Sequence, residues 1–133
     1  MIIGIGTDII EVHRMRAVLT DYSTRFIQKI FTESEQAYCA SKADPAIHYA
    51  ARWAAKEAFA KAYRTGIGEH IGWHDVQIER ASTGAPHIVL FGAIAEQCRT
   101  YKLHVSLTHT HEYAVAMVVI EDILMLSSHQ DTR

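Results

Sequence analysis

Two acids and a lysine are the residues best suited to chemistry. Asp8 closes the glycine–isoleucine run MIIGIGTDII, and Glu57 and Lys61 lie in the alanine-rich segment RWAAKEAFAKA. Burying a lone ionised carboxylate costs several kcal/mol, so Asp8 must cap a helix, pair, or bind a cation. Glu57 and Lys61 stand at i and i+4 and project from one face of a helix. One reading makes them a solvated ion pair worth a few tenths of a kcal/mol. The other notes that alanines on the remaining faces let another backbone close in, so the polar stripe need not face water. Two hard oxygen ligands from separate elements then suit Mg²⁺, which takes one or two carboxylates and completes its shell with water and substrate phosphates. Against this stands Asp8 as the N-cap of a helix starting near Glu11. A dinucleotide loop is a weaker reading of the glycines, because the third glycine it needs would fall at position 9, where Ile9 stands.

Other residues add to this set. Arg52 and Lys56 are further polar interruptions of the same alanine-rich segment. HVSLTHTH places His104, His109 and His111 near a strand end. Alternation puts His104 on the face opposite the other two, and no acidic or cysteine ligand adjoins them, which disfavours zinc. Single histidines binding a phosphate or an adenine edge fit better, and surface histidines better still. Between Val12 and Ile30, Arg14, Arg16, Arg25 and Lys29 face only Asp21. That basic run could steer an acidic partner, with Met15 or Phe26 as apolar anchors.

The elements that position these residues follow from pattern. Residues 2–8 read as a strand. Helical periodicity runs from Glu11 to about Ile30, broken at TDYS (20–23) into two helices, with Ser23 or Thr24 capping the second. Thr32 and Glu35 form a capping box for a third helix, and KADPA (42–46) is a loop. The longest helix spans about Ala46 to Thr65, with seven alanines between Ala50 and Ala62; GIGEHIGWH stops it. DVQIER and HIVLF are strands joined by a turn in ASTGAP. A short helix in GAIAEQCRTY precedes two last strands, LHVSLTH and EYAVAMVVIE, with a tight turn around Thr110–Glu112. This order describes an α+β domain with a mainly antiparallel sheet packed against helices. The expected domain covers 1–122, followed by a partly disordered tail, 123–133.

Composition narrows the function. A chain of 133 residues with 49% hydrophobic and 21% charged residues is one soluble domain. A net charge of −2 argues against a general nucleic-acid binder. No run approaches the ~18 apolar residues that span a bilayer, and the start lacks a signal-peptide pattern. Cys39 and Cys98 match no metal spacing and read as free thiols of a cytoplasmic protein.

Three segments, GIGTDIIEVHR, RWAAKEAFAKAYRTGIG and VSLTHTHEYAVAMVVIE, resemble in order and spacing the holo-acyl-carrier-protein synthases, the small bacterial class of phosphopantetheinyl transferases. The resemblance spans residues 1 to about 121. It implies the 4′-phosphopantetheinyl transferase-like fold and, in fatty acid biosynthesis, Mg²⁺-dependent transfer of 4′-phosphopantetheine from coenzyme A to a serine of apo acyl carrier protein. Adenosine 3′,5′-bisphosphate would be released. By match, Asp8 and Glu57 are the metal ligands and Lys61 the lysine one turn on. Ser106 and His109 would lie beside coenzyme A, as would Arg52 and Lys56, while Arg14, Arg25 and Phe26 would dock the carrier. The family's trimers, with coenzyme A held across subunit boundaries, imply a homotrimer here. Two departures stand out: GAP (84–86) replaces the family's Gly-Lys-Pro, removing that lysine, and Thr108 replaces the serine before His109. Two other classes remain open on the same residues. One is a metal-dependent phosphoester hydrolase; the other is a non-catalytic module that binds an acidic partner.

Overall fold

A computed structural model describes residues 1–21, 24–68 and 71–124. Along the chain run β1 (Ile2–Glu11), α1 (Val12–Asp21), α2 (Thr24–Ile30), α3 (Glu33–Ala40) and α4 (Pro45–Tyr63). Then come β2 (Val76–Arg80), β3 (Pro86–Leu90), α5 (Gly92–Gln97), β4 (Tyr101–His109) and β5 (Tyr113–Asp122). The α+β class is as expected, but the strands divide into two antiparallel sheets: three-stranded β1-β5-β4 and two-stranded β2-β3.

The capping box at α3 is present, with Thr32 and Glu35 bonding reciprocally to each other's backbone N–H. Thr110 closes the β4–β5 turn, its Oγ1 accepting from the N–H groups of Glu112 and Tyr113, both at 3.1 Å. Gly84 takes φ 87 in the β2–β3 turn. Pro45, expected in the loop, instead opens α4, where its missing N–H would have had no helical partner. The cap expected at Ser23, and most of the expected tail, lie outside the described residues.

Helix α4 is the central beam, packed along β1 and β5. Two glycines set how close it comes. A Cβ on Gly4 would lie 2.0 Å from the carbonyl oxygen of Ala62, and one on Gly6 would lie 2.0 Å from that of Ala58. Only glycine on the strand, facing alanine on the helix, permits this backbone-to-backbone approach. Ala54, Ala55, Ala58 and Phe59 then join Ala116, Val118 and Ile120 of β5 in one core. Nearer its start, α4 joins a second core with Val12 and Met15 of α1, Ile30 of α2, Phe31 just after it and Cys39 of α3.

Among the described residues no helix packs on the other face of the three-stranded sheet. Ile5, Ile9, Tyr113 and Met117 are exposed there at 57%, 58%, 44% and 45%.

Candidate active site

Strand alternation carries the approach at Gly4 and Gly6 forward to Asp8, two residues further along the same face. Asp8 thus turns toward α4. It is not a helix cap: β1 continues to Glu11, because Ile9, Ile10 and Glu11 pair with Val115, Ala114 and Tyr113, and α1 starts only at Val12. The Lys61 ammonium donates to the Asp8 carboxylate at 2.9 Å and to the Thr7 carbonyl at 3.0 Å. Lys61 therefore pairs across to the strand rather than along its own helix to Glu57.

Glu57 lies one turn before Lys61 and is half-buried. Burial, and then the negative charge of Asp8, push its carboxyl above the ordinary glutamate range. A hydrogen bond from Trp53 and the charge of Lys61 pull the other way without cancelling the rise. The sequence did not point to Trp53, although its place four residues before Glu57 was the available signal. Two carboxylates from separate elements, in electrostatic contact and only half balanced by one ammonium, form the donor set that a hard divalent cation fits. Among the described residues no cluster of three or more His, Cys, Asp or Glu could enclose a metal by itself. Phosphate and water would have to complete the shell.

Lys56 behaves differently from its neighbour. Its side chain is fully buried, 2.9 Å from Glu35, and also donates to the carbonyl oxygens of Trp73 and Val76. Those bonds use all three of its donors, so the coenzyme contact expected of Lys56 is corrected: the residue ties α4 to α3 and to the start of β2. Glu35 completes the network by accepting from the N–H of Ile78 at 2.9 Å. The capping box made Glu35 legible as a cap, but nothing local marked it as the partner of Lys56.

Arg52, one turn before Lys56, is also buried at 1% exposure, with its guanidinium 4.0 Å from the Tyr38 ring centroid. Lys42 and Arg80 approach the same ring at 4.7 and 5.5 Å. The Arg52 Nε has no hydrogen-bond partner among the described residues. An open groove adjoins it, lined by Ser34, Tyr38, Ile78, Glu79 and Arg80. His48 lies beside this cationic cluster, and burial, then Arg52, His109, Lys42 and Arg80, hold its pKa below the ordinary histidine value. The His109 ring meets that of His48 at 6.0 Å. Ser106, paired with Met117, belongs to the uncovered outer sheet face with His104, whereas His109 turns inward. The structure thus brings Arg52 and His109 into one region, Asp8, Glu57 and Lys61 into another, and leaves Ser106 on a third surface.

Arg14 and Arg25 are exposed on α1 and α2, and Phe26 is half-buried, its ring 6.0 Å from that of Trp53. A groove lined by Ile10, Arg14, Met15, Ala17, Val18 and Trp53 runs beside α1. Through Trp53 it adjoins Glu57. No helix among the described residues is long and apolar enough to cross a membrane.

Known proteins resemble this chain over most of its length. Residues 4–118 match the model of the 4′-phosphopantetheinyl transferase superfamily. The holo-[acyl-carrier-protein] synthase of Geobacter metallireducens is 44% identical over 126 residues, covering 92% of this chain and 100% of that protein. The crystal structure of the Neisseria meningitidis holo-[acyl-carrier-protein] synthase superposes with a TM-score of 0.82 at 31% identity, covering 91% of this chain and 99% of that one. The Bacillus anthracis synthase, solved in complex with CoA (3′,5′-ADP), superposes with a TM-score of 0.78 at 34% identity, covering 92% and 98%.

Proposed function

Because this chain belongs to the holo-[acyl-carrier-protein] synthases of the 4′-phosphopantetheinyl transferase superfamily, we propose that it uses coenzyme A and Mg²⁺ to load apo acyl carrier protein. The observation that carries this reading is the convergence of Asp8 with Glu57 and Lys61 across the glycine–alanine contact of β1 with α4. The carrier serine oxygen would form a bond to the phosphorus that bears pantetheine. The bond from that phosphorus to the bridging oxygen would break, and adenosine 3′,5′-bisphosphate would leave.

Asp8 and Glu57 would hold the cation, which supplies Lewis-acid charge at the diphosphate oxygens when bound. Lys61 adds a fixed positive charge where the leaving phosphate becomes more anionic. A preorganised group of this kind is worth roughly 3–4 kcal/mol. Glu57 directly, or a water held by the cation, would take the serine proton, which contributes ~10²–10⁴-fold. Arg14 and Arg25 would attract the acidic carrier, and the groove between Arg14 and Trp53 would guide its serine toward Glu57.

The cationic cluster around Tyr38 suits the terminal phosphate of coenzyme A, with Arg52 and His109 as its contacts in this reading. It lies on a different side of α4 from Glu57, and Ser106 lies on the outer sheet face. One coenzyme A spanning these regions calls for a neighbouring copy of the chain. The exposed Ile5, Ile9, Tyr113 and Met117 offer an apolar surface for that contact. The copy number of three comes from the family resemblance. A cytoplasmic setting agrees with two buried thiols, Cys39 and Cys98, that burial pushes up to about 12 and about 11.

The deciding experiment incubates the protein with coenzyme A, Mg²⁺ and apo carrier protein, then weighs the carrier. A mass gain of one phosphopantetheine is the expected result. Free phosphopantetheine without carrier modification would instead make the protein a phosphoester hydrolase. No chemistry at all would reduce it to a binding module.

A further inference from the structure

Helix α4 ends in a Schellman motif: the N–H of Thr65 donates to the Ala60 carbonyl at 3.0 Å, and that of Arg64 to the Lys61 carbonyl at 3.1 Å. The motif requires a left-handed residue, and Arg64 fills that place with φ 67 and ψ 31. Among the described residues it is the one non-glycine with positive φ. Glycine is the usual occupant because a Cβ crowds the following carbonyl there. An arginine at this position holds backbone strain that glycine would relieve, and strain of this kind points to a use for the side chain.

The surroundings say what that use is. The open groove at the end of α4 is lined by Glu57, Ala60, Lys61, Arg64, Thr65 and Gly66. Arg64 therefore shares a surface with two of the three groups of the proposed transfer site. Asp8, Glu57, Lys61 and the divalent cation of the reading above together carry one net positive charge, one fewer than the two negative charges of a diphosphate, and Lys61 is already bonded to Asp8. A diphosphate entering there needs a further cation. Arg64 is exposed, and its side chain has no hydrogen bond or ion pair with another described residue. Its planar fork can hold two phosphate oxygens at once, whereas lysine presents a point charge.

We infer that Arg64 is a binding residue for the diphosphate of coenzyme A, acting beside Lys61 at the end of α4. This rests on the transferase reading above. It predicts an opposition between stability and affinity that a purely structural role would not produce. Arg64→Gly relieves the left-handed strain, so its Tm rises by about 4 °C. The same variant binds coenzyme A about tenfold more weakly in the presence of Mg²⁺, and kcat/KM for carrier loading falls at least as far, because the diphosphate is the group that gains charge during transfer. Arg64→Lys keeps the charge without the fork and recovers part of the affinity. The deficit shrinks as salt is added, because the contact is exposed.

Calorimetric titration with coenzyme A and with 3′-dephospho-coenzyme A tests the assignment. An equal deficit for both ligands supports it, since both carry the diphosphate. A deficit that disappears with the dephospho ligand overturns it and moves Arg64 to the other end of the coenzyme. Raised Tm with unchanged affinity also overturns it and leaves Arg64 a strained cap. Either of those results leaves the transferase reading intact, provided the wild-type protein loads the carrier; a wild-type protein that loads nothing overturns both.

Discussion

Lys56 and Lys61 lie on the same helix, each within hydrogen-bond distance of one carboxylate, yet they belong to different kinds of site. The Glu35–Lys56 pair is wholly buried, and every donor of Lys56 is taken by Glu35, Trp73 or Val76. The Asp8–Lys61 pair opens to solvent, with the lysine 56% and the aspartate 16% exposed, and Glu57 beside it leaves negative charge in excess. The first arrangement satisfies itself and locks three elements together. The second is incomplete without a ligand, as a site must be. Consecutive residues on a helix point about 100° apart, so Lys56 faces the inside of the molecule while Glu57 faces the groove.

The sharpest way to break this contrast is to remove one partner from each pair. Lys56→Met should strand the Glu35 charge in the core and cost ~3–5 kcal/mol of stability, read as a lowered urea midpoint. Glu35→Gln combined with Lys56→Met should recover part of that loss, because the orphaned charge is gone while the Trp73 and Val76 carbonyls still lack their donor and Gln offers one acceptor oxygen where Glu35 offers two. A double variant as unstable as the single would mean that the pair itself stabilises the fold. Asp8→Asn should do the reverse, lowering carrier loading by ~10²–10³-fold with the urea midpoint nearly unchanged. Full activity in that variant would remove Asp8 from the site. Lys61→Met should shift stability by less than ~1 kcal/mol, as expected of an exposed pair, while slowing transfer by ~10²-fold. If the folding penalty of Lys61→Met matched that of Lys56→Met, the division between the two lysines would fail.

Much of this was legible in the sequence, for identifiable reasons. The run of alanines implies that another backbone can close in on α4; that the backbone is β1 at Gly4 and Gly6 shows only in the fold, where the contact delivers Asp8 to the turn that carries Glu57. The strand and turn at Thr110 followed from alternation and from residue type. Lys56 was misread because adjacency in sequence to Glu57 says nothing about which face is buried, and its partner Glu35 is 21 residues earlier. Ser106 and His109, three residues apart on one strand, necessarily face opposite sides, so no single surface of one chain can use both. Arg64 passed unnoticed because its meaning lies in a backbone angle, which side-chain pattern does not encode.

The smallest effect separating the two regions is a titration. Glu57 has a raised pKa, first from burial and second from the charge of Asp8. A carboxyl whose folded pKa exceeds its unfolded value binds protons more tightly in the folded state. Stability should therefore fall as pH rises from the ordinary value of 4.5 through the raised one, and this contribution should level off above it. In Asp8→Asn one of the two raising causes is gone while burial remains. The Glu57 carbon resonance should then titrate at lower pH than in the wild type, and the pH-dependent loss of stability should narrow to match. An unchanged Glu57 midpoint would mean that the two carboxylates do not sense each other. They would then not share one cation, and the open half of the comparison would become a second structural ion pair, differing from the buried one only in its exposure.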